Sequence, residues 1–125
     1  MKRKILLIDD DRLVINTLAR LLKATGYKIT AAENGQQALD QIVAETFDLI
    51  ISDIRMPGTD GVWLVKKIEE SLKIAGRAAI PYIFITGYAE GEAHEMAIQM
   101  KGREILYKPF DKEPFLQAIK TAIEG

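Results

Sequence analysis

The chain reads as an α/β protein built on a parallel sheet with helices on both faces. Three observations predict this. Short apolar segments recur at residues 5–8, 27–32, 48–52, 82–85 and 104–107. Each is followed by a stretch whose apolar side chains repeat at helical spacing. Glycine, asparagine or proline punctuates most of the joints. Strand and helix alternating five times argue for a doubly wound sheet, and right-handed crossovers then restrict its topology.

Residues 5–8, Ile-Leu-Leu-Ile, are apolar without alternation, as a strand covered on both faces requires. Val14, Leu18, Leu21 and Leu22 mark a first helix that stops at Gly26. Residues 27–32 form the second strand. Asn34 is placed to cap a helix carrying Ala38, Leu39, Ile42 and Val43. Residues 48–52 (DLIIS) are another buried strand, ending at Asp53, and the RMPGTDG that follows is dense in turn formers. Val62, Val65, Ile68 and Leu72 mark the third helix. Pro81 opens the strand at 82–85, which closes on Thr86 and Gly87. Residues 89–101 are expected to be helical, with Ala93, Met96, Ala97 and Met100 on one face. After the fifth strand, the last helix spans 112–124 and buries Phe115, Leu116, Ile119 and Ile123. Pro114 falls in its first turn, where a missing N–H is tolerated. Trp63 and Met96 are expected to pack, and His94 to be solvated. Lys66, Lys67, Glu69 and Glu70 are expected to form a solvated face. No linker or low-complexity stretch interrupts the pattern, so residues 1–125 are expected to form one domain.

Composition narrows the function. A chain of 125 residues has the size of one domain. Seventeen basic and 18 acidic residues leave a net charge of −1, so nothing global draws it to nucleic acid or an anionic membrane. The absence of cysteine excludes disulfides, thiolate metal sites and thiol catalysis. Lys2-Arg3-Lys4 precedes only four apolar residues, too few for a signal peptide or a membrane span. A soluble, cytoplasmic protein is the expectation.

Chemistry gathers at the strand ends. Asp9, Asp10 and Asp11 follow directly on the buried first strand. Two like charges about 4 Å apart repel by roughly 1 kcal/mol in water and about 4 at an effective dielectric near 20, so such a cluster calls for a partner. In an open parallel sheet ligands bind outside the carboxyl ends of the strands. Strand three ends in Asp53, strand four in Thr86 and strand five in Lys108, whereas Ala32-Glu33 after strand two offers less. Carboxylates from neighbouring strands suit a hard divalent cation such as Mg²⁺. A lysine and a hydroxyl facing the same spot suit phosphoryl oxygens. Together these are the parts that phosphoryl transfer needs, and one carboxylate can serve as nucleophile to form an aspartyl phosphate.

The acidic pair in ILLIDD, the stretch DLIISDIRMPGTDG, the Thr-Gly after strand four and the KPF near the end stand in order, each at a strand end. In this the sequence resembles the receiver domain of two-component response regulators, over essentially its whole length. The resemblance implies a flavodoxin-like fold with strand order 2-1-3-4-5 and five helices in three layers. It implies Asp53 as phosphoacceptor and Mg²⁺, or Mn²⁺ in its place, as cofactor. Asp10 would bind the metal directly, Asp9 largely through water, and the backbone carbonyl of Arg55 would add a ligand. Thr86 and Lys108 would bind the phosphoryl oxygens. Asp11 falls at the start of helix one, where capping is the expected role. The Lys108–Pro109 bond would be cis, aiming the ammonium into the site.

The same resemblance implies a sensor histidine kinase or histidine phosphotransfer protein as donor and a downstream target protein reading helix four, strand five and helix five. The domain would catalyse only its own phosphorylation and dephosphorylation. Side chains at Arg55 and Tyr88 occupy positions that tune hydrolysis in relatives. Both are large, so slow self-dephosphorylation is expected. Relatives usually carry an aromatic residue three before the lysine, which follows the threonine. Here that residue is Ile105, and Tyr107, two along on the same strand face, is a candidate substitute. Two other readings stand beside this one. A receiver-like module that is never phosphorylated would lose acidic or lysine positions, and none is lost. A phosphatase with an aspartate nucleophile carries Asp-x-Asp-x-Thr after strand one. Asp9 and Asp11 have that spacing, but position 13 is Leu13. A nucleotide or flavin carrier is disfavoured because no glycine-rich loop follows strand one.

Overall fold

The computed structural model describes residues 2–87, 91–100 and 104–125. Strands β1 (Lys4–Ile8), β2 (Lys28–Ala32), β3 (Leu49–Asp53), β4 (Tyr82–Thr86) and β5 (Glu104–Tyr107) form a parallel sheet in the order β2-β1-β3-β4-β5. Helices α1 (Arg12–Ala24), α2 (Gly35–Ala44), α3 (Gly61–Ile74), α4 (Glu92–Gln99) and α5 (Lys112–Glu124) connect or follow them. The fold is the doubly wound one expected.

The unbroken apolar strands serve two cores, because alternate side chains point to opposite faces. Leu6, Ile8, Ile50 and Phe84 meet α2, α3 and α4 through Ile42, Val65, Ile68 and Ala97. Ile5, Leu7, Ile51, Ile83 and Ile85 meet α1 and α5 through Leu18, Leu22, Phe115 and Ile119. Ridding a fully buried side chain of this size from water contributes about 1.5–3 kcal/mol, so both layers are held firmly to the sheet.

Short polar side chains set where helices begin. Asp11 accepts from the Leu13 N–H at 2.9 Å, Asn34 from Gln37 at 2.9 Å and Asp60 from Val62 at 2.7 Å. Each satisfies an N–H that the first helical turn leaves open. At the end of α1, Gly26 takes a φ of 104°, a conformation that side chains with a Cβ disfavour.

Several sequence expectations need correction. Val43, placed on the apolar face of α2, is 79% exposed, because Ile42 already fills the core contact. Trp63, expected to pack, is 54% exposed, with Lys67 above its ring. Helix 89–101 is shorter: α4 spans Glu92–Gln99 and Met100 has extended backbone, while 89, 90 and 101 lie outside the described residues. RMPGTDG is more than a turn, since Arg55–Met56 and Thr59–Asp60 pair as a small antiparallel ladder. His94, expected in solvent, is buried. Among the described residues no helix is long and apolar enough to cross a membrane.

Candidate active site

β1 and β3 lie side by side in register, Ile8 opposite Ser52, so the residues that follow each, Asp9 and Asp53, emerge together. Both are buried. Asp10, next along, is exposed at the rim. Asp9, Asp10 and Asp53 each offer a carboxylate oxygen within 4.8 Å of the others.

Lys108 enters from β5. Its N–H donates to the Thr86 carbonyl at 2.7 Å, which docks the end of β5 against β4. The Lys108–Pro109 bond is cis. Lys108 Nζ lies 3.1 Å from Asp9 Oδ2 and 3.3 Å from Asp53 Oδ2. The other oxygens are also held. Asp9 Oδ1 accepts from the Asp11 N–H at 3.0 Å and Asp53 Oδ1 from the Arg55 N–H at 3.2 Å. Thr86 closes β4, fully buried, one residue beyond the Ile85 that pairs with Asp53.

The electrostatics are unbalanced. Burial raises the Asp53 carboxyl above its ordinary range and the Asp9 charge raises it further. Lys108 and the Arg55 N–H oppose this without cancelling it. Burial lowers the Lys108 ammonium, but the charges and hydrogen bonds of Asp53 and Asp9 outweigh it, and the net shift is upward. The two partners shift the same way because one ammonium is shared between two carboxylates. It gains from both, while each carboxylate has only part of it.

Three carboxylates facing one ammonium leave an excess of two negative charges. An all-oxygen donor set with that excess fits a hard divalent cation, Mg²⁺ or Mn²⁺, better than a softer metal.

The sequence profile of the response regulator receiver domain matches residues 5–120. The chain belongs to the response regulator receiver domain family. It is 34% identical over 116 residues to the DNA-binding transcriptional regulator NtrC of Escherichia coli, covering 93% of this chain and 24% of that protein. It is 30% identical over 122 residues to the transcriptional regulatory protein FixJ of Bradyrhizobium diazoefficiens, covering 98% of this chain and 57% of that one. The chain thus spans about a quarter to just over half the length of these curated relatives. Among solved structures, the signal receiver domain of an HD domain-containing protein from Pseudomonas fluorescens superposes with a TM-score of 0.88 at 27% identity, over 99% of this chain and 96% of that one. The receiver function is that of a phosphoacceptor in two-component signalling. A receiver acts on its own aspartate.

The structure therefore brings Asp9, Asp10, Asp53 and Lys108 into one cluster, with Thr86 at the adjoining strand end. Asp11 caps α1. The Arg55 side chain is exposed, and its guanidinium stands beside Gly91 at the start of α4. Tyr88 lies outside the described residues. Ile105 is partly buried against the α4-side core, and Tyr107 is 43% exposed with its hydroxyl bound to His94.

Two features of the site escaped the sequence. Gly61 presses on the end of β3 so closely that a Cβ would sit 1.9 Å from the Asp53 carbonyl oxygen. The glycine closing RMPGTDG was the available signal, but a turn explains a glycine equally well. Glu33, after β2, pairs with Arg12 at the start of α1 at 2.7 Å. Nothing local in the sequence joins those two.

Proposed function

We propose that Asp53 accepts a phosphoryl group from the phosphohistidine of a sensor histidine kinase or histidine phosphotransfer protein. The donor's N–P bond breaks as an Asp53 carboxylate oxygen forms the new O–P bond, and the donor imidazole, already protonated at its other ring nitrogen, leaves neutral. The observation that carries this reading is a single lysine held between two buried carboxylates beside a third, a cluster with a surplus of negative charge. Asp9, Asp10, Asp53 and the Arg55 carbonyl are the residues that would hold Mg²⁺ or Mn²⁺, with Asp9 acting largely through water. When bound, that ion supplies charge neutralisation for the incoming phosphoryl oxygens.

The protein's own residues do the rest. The Arg55 N–H orients the Asp53 carboxylate. Lys108, already charged and aimed, neutralises the transferred group, and Thr86 offers a hydroxyl to it. Added charge at Asp53 then biases the face formed by α4, β5 and α5, which a downstream protein reads. We place this exchange in the cytoplasm. With a net charge of −1, the domain is assigned no direct contact with nucleic acid or membrane.

Incubation with acetyl phosphate, followed by intact mass spectrometry, tests the reading. Wild type is expected to gain one acid-stable, base-labile phosphoryl group with Mg²⁺ present and to gain little with the ion chelated. Asp53→Asn is expected to gain none. Labelling of Asp53→Asn to the wild-type level, or labelling indifferent to Mg²⁺, would overturn it.

A further inference from the structure

Tyr107 and His94 join β5 to α4. The tyrosine hydroxyl lies 2.7 Å from His94 Nε2, with the two rings edge-on at 5.6 Å between centroids. His94 is buried, and its Nδ1 has no hydrogen-bond partner among the described residues. A neutral imidazole carries one N–H and one bare nitrogen. In either tautomer, then, Nδ1 is a buried donor without an acceptor or a buried acceptor without a donor. Such a group disfavours the arrangement that buries it. An apolar residue would fill the position with no such deficit, so packing alone does not account for a histidine here.

Placement does. Tyr107 sits in register with Thr86 and directly precedes Lys108. Lys108 in turn holds the Thr86 carbonyl through its N–H and both Asp9 and Asp53 through its ammonium. One peptide unit separates the lysine from the tyrosine, and one hydrogen bond separates the tyrosine from α4. Ile105, on the same strand face, has no polar group with which to make such a link. At its other end α4 starts from Gly91, which supplies no side-chain cap.

We propose that the His94–Tyr107 hydrogen bond holds α4 in its unmodified position and is released when charge is added at Asp53. This pair, in place of an aromatic side chain at 105, carries the change to α4. The inference rests on the phosphoacceptor reading above. A phosphoryl group on Asp53 draws Lys108 away from the two carboxylates it now bridges, and Tyr107 moves with the end of β5. Releasing His94 lets Nδ1 reach water, which offsets part of the lost bond. The two positions of α4 are thereby brought close in free energy, as a two-state element requires.

Tyr107→Phe removes the hydroxyl and keeps the ring. A bond made only in the unmodified state opposes modification, so its removal must favour the modified one. Binding of beryllofluoride with Mg²⁺, a mimic of the aspartyl phosphate, is measured by calorimetry alongside amide hydrogen exchange across Glu92–Gln99. Wild type is expected to bind the mimic and to exchange faster in α4 once it is bound. Tyr107→Phe is expected to exchange fast in α4 beforehand, to show no further rise, and to bind about three to ten times more tightly. His94→Gln, whose amide can still reach the tyrosine, is expected to fall between them. Unchanged affinity in Tyr107→Phe overturns the proposal, whether α4 exchange responds as in wild type or is raised equally in both states, the mark of a purely structural contact. If wild type itself fails to bind the mimic, the phosphoacceptor reading falls and this inference with it.

Discussion

Asp53 is held by three groups: Lys108 and the Arg55 N–H attract its charge, and Asp9 repels it. At this scale the rate of resetting is decided by what can reach the carbon and phosphorus of an acyl phosphate. The Arg55 side chain projects from the residue whose N–H holds Asp53 and stands beside Gly91, at the edge of the site. With Asp53 phosphorylated as proposed, a guanidinium there would obstruct an in-line water and attract phosphoryl oxygens, and both effects would preserve the modified form. Arg55→Ala is therefore expected to shorten the lifetime of the acyl phosphate by about tenfold, the equivalent of about 1.4 kcal/mol in the barrier. Decay of the labelled protein, followed by mass spectrometry after removal of phosphodonor, checks this. An unchanged half-life would assign the side chain no part in resetting. Residue identity made Asp9, Asp10, Asp53 and Lys108 legible from the sequence because charged groups at the ends of buried strands are conspicuous. His94 runs against expectation for the opposite reason: one histidine on a short helix, flanked by Ala93 and Glu95, gives no sign of which way it faces.

Among the elements, the β3–α3 connection has the tightest tolerance. The Gly61 N–H donates to the Ile54 carbonyl at 2.8 Å, and the Ile54 N–H donates to the Ile85 carbonyl at 3.0 Å. The start of α3 is thus fastened to the same strand ends that carry Asp53 and Thr86. A methyl group at position 61 would collide with backbone, which cannot swing aside as a flexible side chain can. Gly61→Ala is expected to lose about 1–3 kcal/mol or more of stability and to lower Mg²⁺ affinity by displacing Asp53. Urea unfolding and a Mg²⁺ titration on the same variant check both. A variant as stable as wild type would show that α3 can shift without strain. Element boundaries were mostly readable, because capping by Asp11, Asn34 and Asp60 is local chemistry. The end of α4 was not, since its apolar spacing continues to Met100 while the backbone at that residue is already extended.

For the whole molecule, the charged cluster couples function to stability. The Asp53 carboxyl has a higher pKa folded than its ordinary value of 3.8. Between those two values the native state binds more protons than the unfolded one, so stability falls as pH rises through that interval. Above the folded value the full penalty is present; below the ordinary value it vanishes. Without divalent ions at pH 7, Asp53→Asn is accordingly expected to melt higher than wild type, by about 3–6 °C for each kcal/mol of repulsion removed. The advantage should shrink as the pH is lowered toward 4. Adding Mg²⁺ should raise wild type more than the variant, because an ion that binds only the native state stabilises it. Thermal melts across pH, with and without the ion, check the sign. A variant that melts no higher than wild type at pH 7 would show that Lys108 fully compensates Asp53.

By itself the sequence determined the alternation of strand and helix, the apolar runs that demand cover on both faces, and the charged residues at the strand ends. These follow from local composition and periodicity, which act over a few residues. Only the tertiary structure decided that one ammonium lies between Asp9 and Asp53, that Gly61 meets the Asp53 backbone, and that His94 closes on Tyr107. Those contacts join residues on different elements of the fold. Their distances are set by how two layers of helices settle on one sheet, and no short stretch of sequence encodes that.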